Sequence, residues 1–234
     1  MQNNELQISN YKNQDLTMLN DLLKNARTIL CLNSTLPIDT NLYHNKCIIA
    51  ADGAANRLHE LGISSDVIIG DFDSVNLAEH KSARIIHMPD QSSSDFQKAL
   101  RYIDENKLNP FVIFGMNDGF FDHVLCNISI LATEIEECAF YAPPIVGRVI
   151  GVCGTYHFNA PSGSKISILG APTASLSSQG LKWELTKQSL VFPGNNSCFN
   201  RTMLENVEIT LHSGKIILMV YMIDINDQGK LADV

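Results

Sequence analysis

An α/β fold with a mainly parallel sheet, followed by a smaller all-β sandwich or barrel-like region, is the architecture this sequence predicts. Two observations carry the expectation. In the first half, short apolar runs alternate with helix-like stretches, the pattern of a parallel sheet covered by helices. After residues 141–148, where Pro143, Pro144 and Gly147 read as a linker, short runs are separated by Gly, Pro, Ser and Asn, a spacing that suits a small sandwich or barrel.

Taken in order, residues 28–32, 47–51, 67–70, 84–87 and 111–114 read as strands, and several are followed at once by Asp, Asn or Gly. Residues 54–61 and 95–105 have helical spacing, the latter with Phe96, Leu100 and Ile103 on one face. Residues 122–138 form the longest helical stretch. The β-rich half offers strands at 148–152, 156–159, 165–169, 207–211 and 216–222, and the C-terminal tail is expected to fray. No internal repeat, low-complexity tract or long charge run interrupts the chain.

The bulk properties narrow the function classes. With 234 residues, 45% hydrophobic and 18% charged, the chain can bury a sizeable core. A formal net charge of -8 and a pI of about 5.3 leave no general positive field for nucleic acid or an anionic membrane, so a small-molecule partner fits better. The polar N-terminus, with Glu5, is unlike a secretory signal. Apolar runs such as 67–69 and 216–221 fall well short of the about 20 residues of a membrane-spanning helix; a soluble, cytoplasmic protein is expected. Cys31, Cys47, Cys126, Cys138, Cys153 and Cys198 contain no CxxC pair, which argues for reduced thiols rather than a zinc or redox site.

In open α/β sheets, ligands bind beyond the carboxyl ends of the strands, so polar residues just after the apolar runs are the first candidates. Val67-Ile68-Ile69-Gly70-Asp71-Phe72-Asp73-Ser74 sends two carboxylates off a buried strand on the same side. They suit a hard cation such as magnesium; the alternative is a turn with capping acids. Asp90-Gln91-Ser92-Ser93-Ser94-Asp95 precedes the amphipathic stretch from Phe96. Ser93 or Ser94 can cap that helix, whose free amides suit a phosphate oxygen, and Asp95 either joins the acidic cluster or answers the helix dipole.

Asp52-Gly53-Ala54-Ala55-Asn56-Arg57 offers a tight turn and an arginine that either clamps a phosphate or pairs with a neighbouring acid such as Glu60. The loop from Gly115 to His123 lacks the Lys-Ser/Thr of a Walker A motif, and its Asp122 is either catalytic or an N-cap. Trp183, the single tryptophan, is either core or a flat platform for an aromatic or cationic ligand.

In order and spacing these segments resemble the thiamin pyrophosphokinase family, whose members show A-D-G-G-A-N-R, G-D-F-D-S, D-Q-D-x-T-D, G-G-R-F-D-H and G-L-K-W. The matches lie at residues 51–57, 70–74, 90–95, 118–123 and 180–183, and Ser197 and Asn200 look like parts of the family's Ser-Thr-Ser-Asn segment. The resemblance implies an α/β catalytic domain for ATP and magnesium over residues 1–146, a β-rich thiamin-binding and dimerisation domain over 147–234, and a homodimer with thiamin sites between subunits. By position, Asp71, Asp73 and Asp95 match the metal cluster. Asp52, Asn56, Arg57 and Ser94 go with the nucleotide, and Gln91, Trp183, Ser197 and Asn200 with thiamin. The chain departs from the pattern at Ala54 and Asp118 (Gly), Ser92 (Asp), Ser94 (Thr), Phe120 (Arg) and Phe199 (Ser).

The reaction so implied sends the thiamin hydroxyl to the β-phosphorus of ATP, with AMP leaving, Asp122 orienting or deprotonating the hydroxyl, and Trp183 stacking on the thiamin rings. Two alternatives compete with it. A phosphatase of the haloacid dehalogenase kind shares an apolar strand followed by Asp-x-Asp, and a thiamin or nucleotide sensor of the same fold would have lost turnover.

Overall fold

The computed structural model describes residues 17–117 and 120–222; Glu5, Asp118 of the fourth motif and the tail expected to fray lie outside them. The chain divides into two compact units. Among the described residues, one comprises those within Leu22–Ile130 and Cys138–Ala142; the other comprises Leu131–Glu137 and residues 143–222, with residues 17–21.

The first unit is built on parallel strands β1 (Thr28–Cys31), β2 (Cys47–Ala51), β3 (Val67–Gly70), β4 (Arg84–His87), β5 (Phe111–Phe114) and β6 (Glu137–Ala142). Their spatial order is β6-β5-β1-β2-β3-β4, every adjacent pair parallel. β1, β2, β3 and β5 are rich in Ile, Val, Leu and Phe and buried almost throughout, as expected of strands covered on both faces. The order reverses direction at β1, with β2 on one side and β5 on the other, and such a point is where an open parallel sheet leaves a crevice at its carboxyl edge.

Among the described residues four α-helices accompany the strands: α1 (Thr17–Asn25), α2 (Ala54–Glu60), α3 (Asp95–Glu105) and α4 (Phe121–Glu134). α2 packs on β2, and α3 on β2 and β3. α3 starts at Ser94, whose hydroxyl accepts from the Gln97 amide while the Gln97 side chain accepts from the Ser94 amide, a reciprocal capping box. Phe96, Ala99, Tyr102 and Ile103 are its buried face, each large side chain contributing about 1.5–3 kcal/mol of burial. Tyr43, Phe114 and Tyr141 form an edge-to-face chain with centroid separations of 5.3 and 5.9 Å. Burial pushes the Cys31 thiol far above its usual range.

Two expectations are corrected in this part of the chain. The helix expected to run to residue 138 ends at Glu134, and Glu137–Ala142 is strand β6. The run Cys138-Ala139-Phe140-Tyr141-Ala142 is buried throughout, and a continuously apolar stretch reads alike as buried strand or buried helix. The expected linker at 141–148 is mostly strand, with only Pro143 and Pro144 between β6 and β7.

The second unit is antiparallel: β7 (Ile145–Ile150), β8 (Gly154–Asn159), β9 (Lys165–Gln179), β10 (Gln188–Val191), β11 (Ser197–Arg201) and β12 (Asn206–Tyr221). β9 and β12 pair along most of their length. The beginning of β9 also pairs with β11 and its later part with β10; β12 likewise takes β8 at its start and β7 at its end. The expected strands at 165–169, 207–211 and 216–222 are therefore pieces of two long ones. Gly170-Ala171-Pro172 looks like a terminator, yet Gly214 faces Ala174 while Ile216 faces Gly170, so the proline sits in a bulge where the ladder asks for no donor.

Candidate active site

Two adjacent β-strands in the first unit, β2 and β3, deliver carboxylates to one edge. Asp52 follows β2 directly, in a left-handed backbone conformation (φ 43°) that Asp tolerates better than most residues. Asp71 and Asp73 follow β3 on either side of Phe72, itself at φ 67° and stacked on His87 at 5.2 Å. Carboxylate oxygens of Asp52, Asp71 and Asp73 lie within 4.8 Å of one another. Two glycines make room: a Cβ at Gly70 would stand 2.8 Å from Asp52 Cβ, and one at Gly53 would stand 2.6 Å from Ser74 Oγ.

The trio is graded from buried to exposed. Asp52 is 3% exposed; its Oδ2 accepts from the hydroxyl and, at 3.3 Å, the amide of Ser74. Its Oδ1 is one of two buried side-chain atoms among the described residues without a hydrogen-bond partner, Ser65 Oγ being the other. Asp71 accepts from Gln91 Nε2 at 2.6 Å and from the Asp73 amide at 3.3 Å; the Gln91 bond foremost holds its carboxyl below the usual range. Asp73 is exposed, and its acid is raised first by the charge of Asp71 and then by that of Asp52. An all-oxygen donor set, with mutual repulsion and one orphaned buried oxygen, fits a hard divalent cation of the magnesium kind.

Asp95, expected in the metal cluster, stands beside this trio rather than within it. Its Oδ1 receives the Lys98 ammonium at 2.9 Å, and Lys98 is itself 2% exposed. Partial burial raises the Asp95 acid and Lys98 opposes that shift. Asp52, assigned from sequence to the nucleotide, is the third carboxylate of the trio. The i,i+3 pair Asp95/Lys98 on a helix was a visible signal that Asp95 has a partner, and an acid directly after a fully apolar strand was a signal for Asp52.

The other candidates separate by what already occupies them. Asn56 spends both amide atoms on the neighbouring loop, donating to Ser74 O at 2.8 Å and accepting from the Asn76 amide at 3.0 Å. Arg57 donates through Nε to Asn33 Oδ1 at 2.9 Å, following β1, and its side chain is exposed. Ser94 is the helix cap described above. Asp122 lies exposed in the first turn of α4, where it accepts from the His123 amide at 2.9 Å; the adjoining Phe120 and Phe121 are 75% and 77% exposed.

In the second unit, Trp183, Ser197 and Asn200 come together. The buried Asn200 amide donates to Trp183 O at 2.7 Å and accepts from Trp183 N at 3.1 Å. Its Nδ2 also lies 3.4 Å from Ser197 Oγ. The indole is 54% exposed with Lys182 Nζ 4.6 Å from the ring centroid. Phe199, at φ 54°, is exposed beside Tyr221 at 5.7 Å.

Comparison with known proteins follows this geometry. Residues 38–141 match the family model described as thiamin pyrophosphokinase, catalytic domain, a span that holds Asp52, Asp71, Asp73, Gln91, Asp95 and Asp122. Thiamin pyrophosphokinase 1 of Caenorhabditis elegans is 32% identical over 108 residues, covering 42% of this chain and 44% of that protein. Thiamine pyrophosphokinase 1 of Oryza sativa subsp. japonica is 27% identical over 229 residues, covering 82% of this chain and 86% of that one. Among solved structures, thiamin pyrophosphokinase from Candida albicans aligns with a TM-score of 0.73 at 20% identity, over 87% of this chain and 91% of that one. The yeast enzyme's structure gives 0.71 at 20% identity, over 90% and 92%. These structures are alike in fold.

Proposed function

We propose that this chain, which matches the thiamin pyrophosphokinase catalytic-domain model over residues 38–141 and is 27% identical to the Oryza sativa thiamine pyrophosphokinase over 229 residues, is a member of that family and transfers the β,γ-pyrophosphoryl group of ATP to the primary hydroxyl of thiamin. The hydroxyl oxygen bonds to the β-phosphorus, the bond from that phosphorus to the oxygen shared with the α-phosphorus breaks, AMP leaves with that oxygen, and the hydroxyl proton is released. The observation that carries the proposal is the convergence of Asp52, Asp71 and Asp73 inside the matched catalytic span. Bound there, Mg2+ would screen phosphate charge and align the transferred group.

The protein's own residues divide the remaining work. Asp52, Asp71 and Asp73 would hold the cation, with Gln91 keeping Asp71 ionised and oriented through its 2.6 Å bond. The Asp95/Lys98 pair places a buried ammonium beside the carboxylates, where its charge lowers the Asp71 acid and would also oppose phosphate charge. Arg57 has guanidinium donors beyond the one given to Asn33 for phosphate oxygens, and the α3 N-terminus behind Ser94 favours an anion. Asp122 is proposed to orient the attacking hydroxyl. Gln91, Trp183, Ser197 and Asn200 are proposed thiamin contacts, the half-exposed indole serving the cationic rings.

Residues 1–146 as catalytic domain, 147–234 as a sandwich or barrel-like thiamin-binding and dimerisation domain, a homodimer with thiamin sites between subunits, and a cytoplasmic location complete the proposal. No described helix is long and apolar enough to cross a membrane.

The test is production of AMP and thiamin diphosphate from ATP, Mg2+ and thiamin. Stoichiometric formation of both, lost in Asp71→Asn, is expected. Thiamin binding without AMP would identify the sensor, and phosphate release alone the phosphatase.

A further inference from the structure

We propose that Ser74, held from behind by Asn56, is the positioning residue that aims the buried Asp52 carboxylate at the cation of the acidic trio. The inference rests on the metal-dependent function proposed above. The two oxygens of Asp52 are in unlike situations: Oδ2 receives the Ser74 hydroxyl and amide, while Oδ1 is buried with no partner. An orphaned carboxylate oxygen carries an uncompensated desolvation cost, and a cation held with Asp71 and Asp73 would remove it.

Ser74 can choose between the oxygens because it is itself anchored. Its carbonyl accepts from Asn56 Nδ2 at 2.8 Å, and Asn56 Oδ1 accepts from the Asn76 amide at 3.0 Å. The loop that follows Asp73 is thereby tied to α2, and the serine hydroxyl is left for Asp52. With a donor on Oδ2, rotation of the carboxylate would break that bond, so Oδ1 is the oxygen left to the trio. The space is reserved too, since a Cβ at Gly53 would stand 2.6 Å from Ser74 Oγ. Partners of this kind behind a ligating group typically change metal affinity by 10–100-fold.

The experiment is a Mn2+ titration of the full chain without nucleotide, read by the electron paramagnetic resonance signal of free Mn2+, with a melting curve for every variant. Ser74→Ala is expected to weaken Mn2+ binding by on the order of tenfold with Tm retained, and Ser74→Thr, which restores a hydroxyl, to recover affinity to within about twofold of the parent. Parent-like Mn2+ binding by Ser74→Ala, where Asp71→Asn has lost it, would overturn the inference alone. Equal weakening in Ser74→Ala and Ser74→Thr with a lowered Tm would also overturn it, marking Ser74 as a loop-building residue. A parent that binds no Mn2+, or an Asp71→Asn that binds it as the parent does, would overturn the metal site itself.

Discussion

The acidic trio and the Trp183 cluster solve the same problem, presenting a few polar groups on a rigid frame, by opposite means. Asp52, Asp71 and Asp73 follow directly on neighbouring parallel strands, so the sheet's register brings them together and their mutual repulsion is the cost. Trp183 is placed by the amide of Asn200, 17 residues on, and nothing in that cluster repels. The first site stores unfavourable electrostatics for a ligand to relieve; the second contributes to holding its own unit together. Loss of an aspartate should therefore separate function from stability in the first site, and loss of Asn200 should couple them in the second.

The largest effect expected is on turnover in Asp73→Asn, a fall of roughly 10^3-fold at saturating substrates, measured as AMP formation. The folded protein should not suffer. Asp73 has a raised acid, so the folded state holds its proton to higher pH than the unfolded state does. Its ionisation therefore costs stability as pH rises through and above the ordinary carboxylate range. Removing that charge should leave the metal-free Tm at neutral pH equal to or above the parent's, with the difference vanishing at pH values where Asp73 is protonated in both states. A lower neutral Tm would break the contrast between the sites.

Asn200→Ala should do the reverse. It leaves Trp183 N and O without their partner and should cost about 1–3 kcal/mol, read from denaturant unfolding, together with weaker thiamin binding. Trp183→Ala sharpens the comparison: with the ring half exposed, Tm should stay close to the parent while the thiamin KM rises about tenfold, in line with the loss of a stacking and cation–π contact. The smallest effect concerns the thiols. A mild alkylating reagent on the native protein should label the exposed Cys126, Cys153 and Cys198 and spare Cys31 and Cys138, as mass spectrometry would record; prompt loss of the Cys31 thiol would mean that the β1 core opens.

The same contrast explains what was legible in the amino-acid order. β2, β3, β4 and β5 coincide with their expected bounds, because short apolar runs cut off by Asp or Gly, or by Pro89 just beyond β4, admit few other structures. The acids after β3 were visible for the same reason. β6 was not, since the glutamates before Cys138 suit a continuing helix and the apolar run from Cys138 to Ala142 reads alike as buried helix or buried strand, and the continuity of β9 and β12 was hidden because a proline and a glycine that normally end strands are absorbed by a bulge. That Asp52 lies with Asp71 and Asp73 while Asp95 faces a buried ammonium depends on how α3 lies on the sheet. Asn200 was found by motif, but its grip on the Trp183 backbone depends on long-range register.

The paired glycines at 53 and 70 constrain how this chain can diverge. Each leaves so little clearance that even the methyl of an alanine, which changes no charge, would press on Asn33 and Ser74 at position 53 or on Asp52 at position 70. A drift at either place should displace the groups that set Asp52 and so alter cation affinity. In a set of descendants selected for a different cation, or released from needing one, these two silent positions should therefore change before the conspicuous aspartates do.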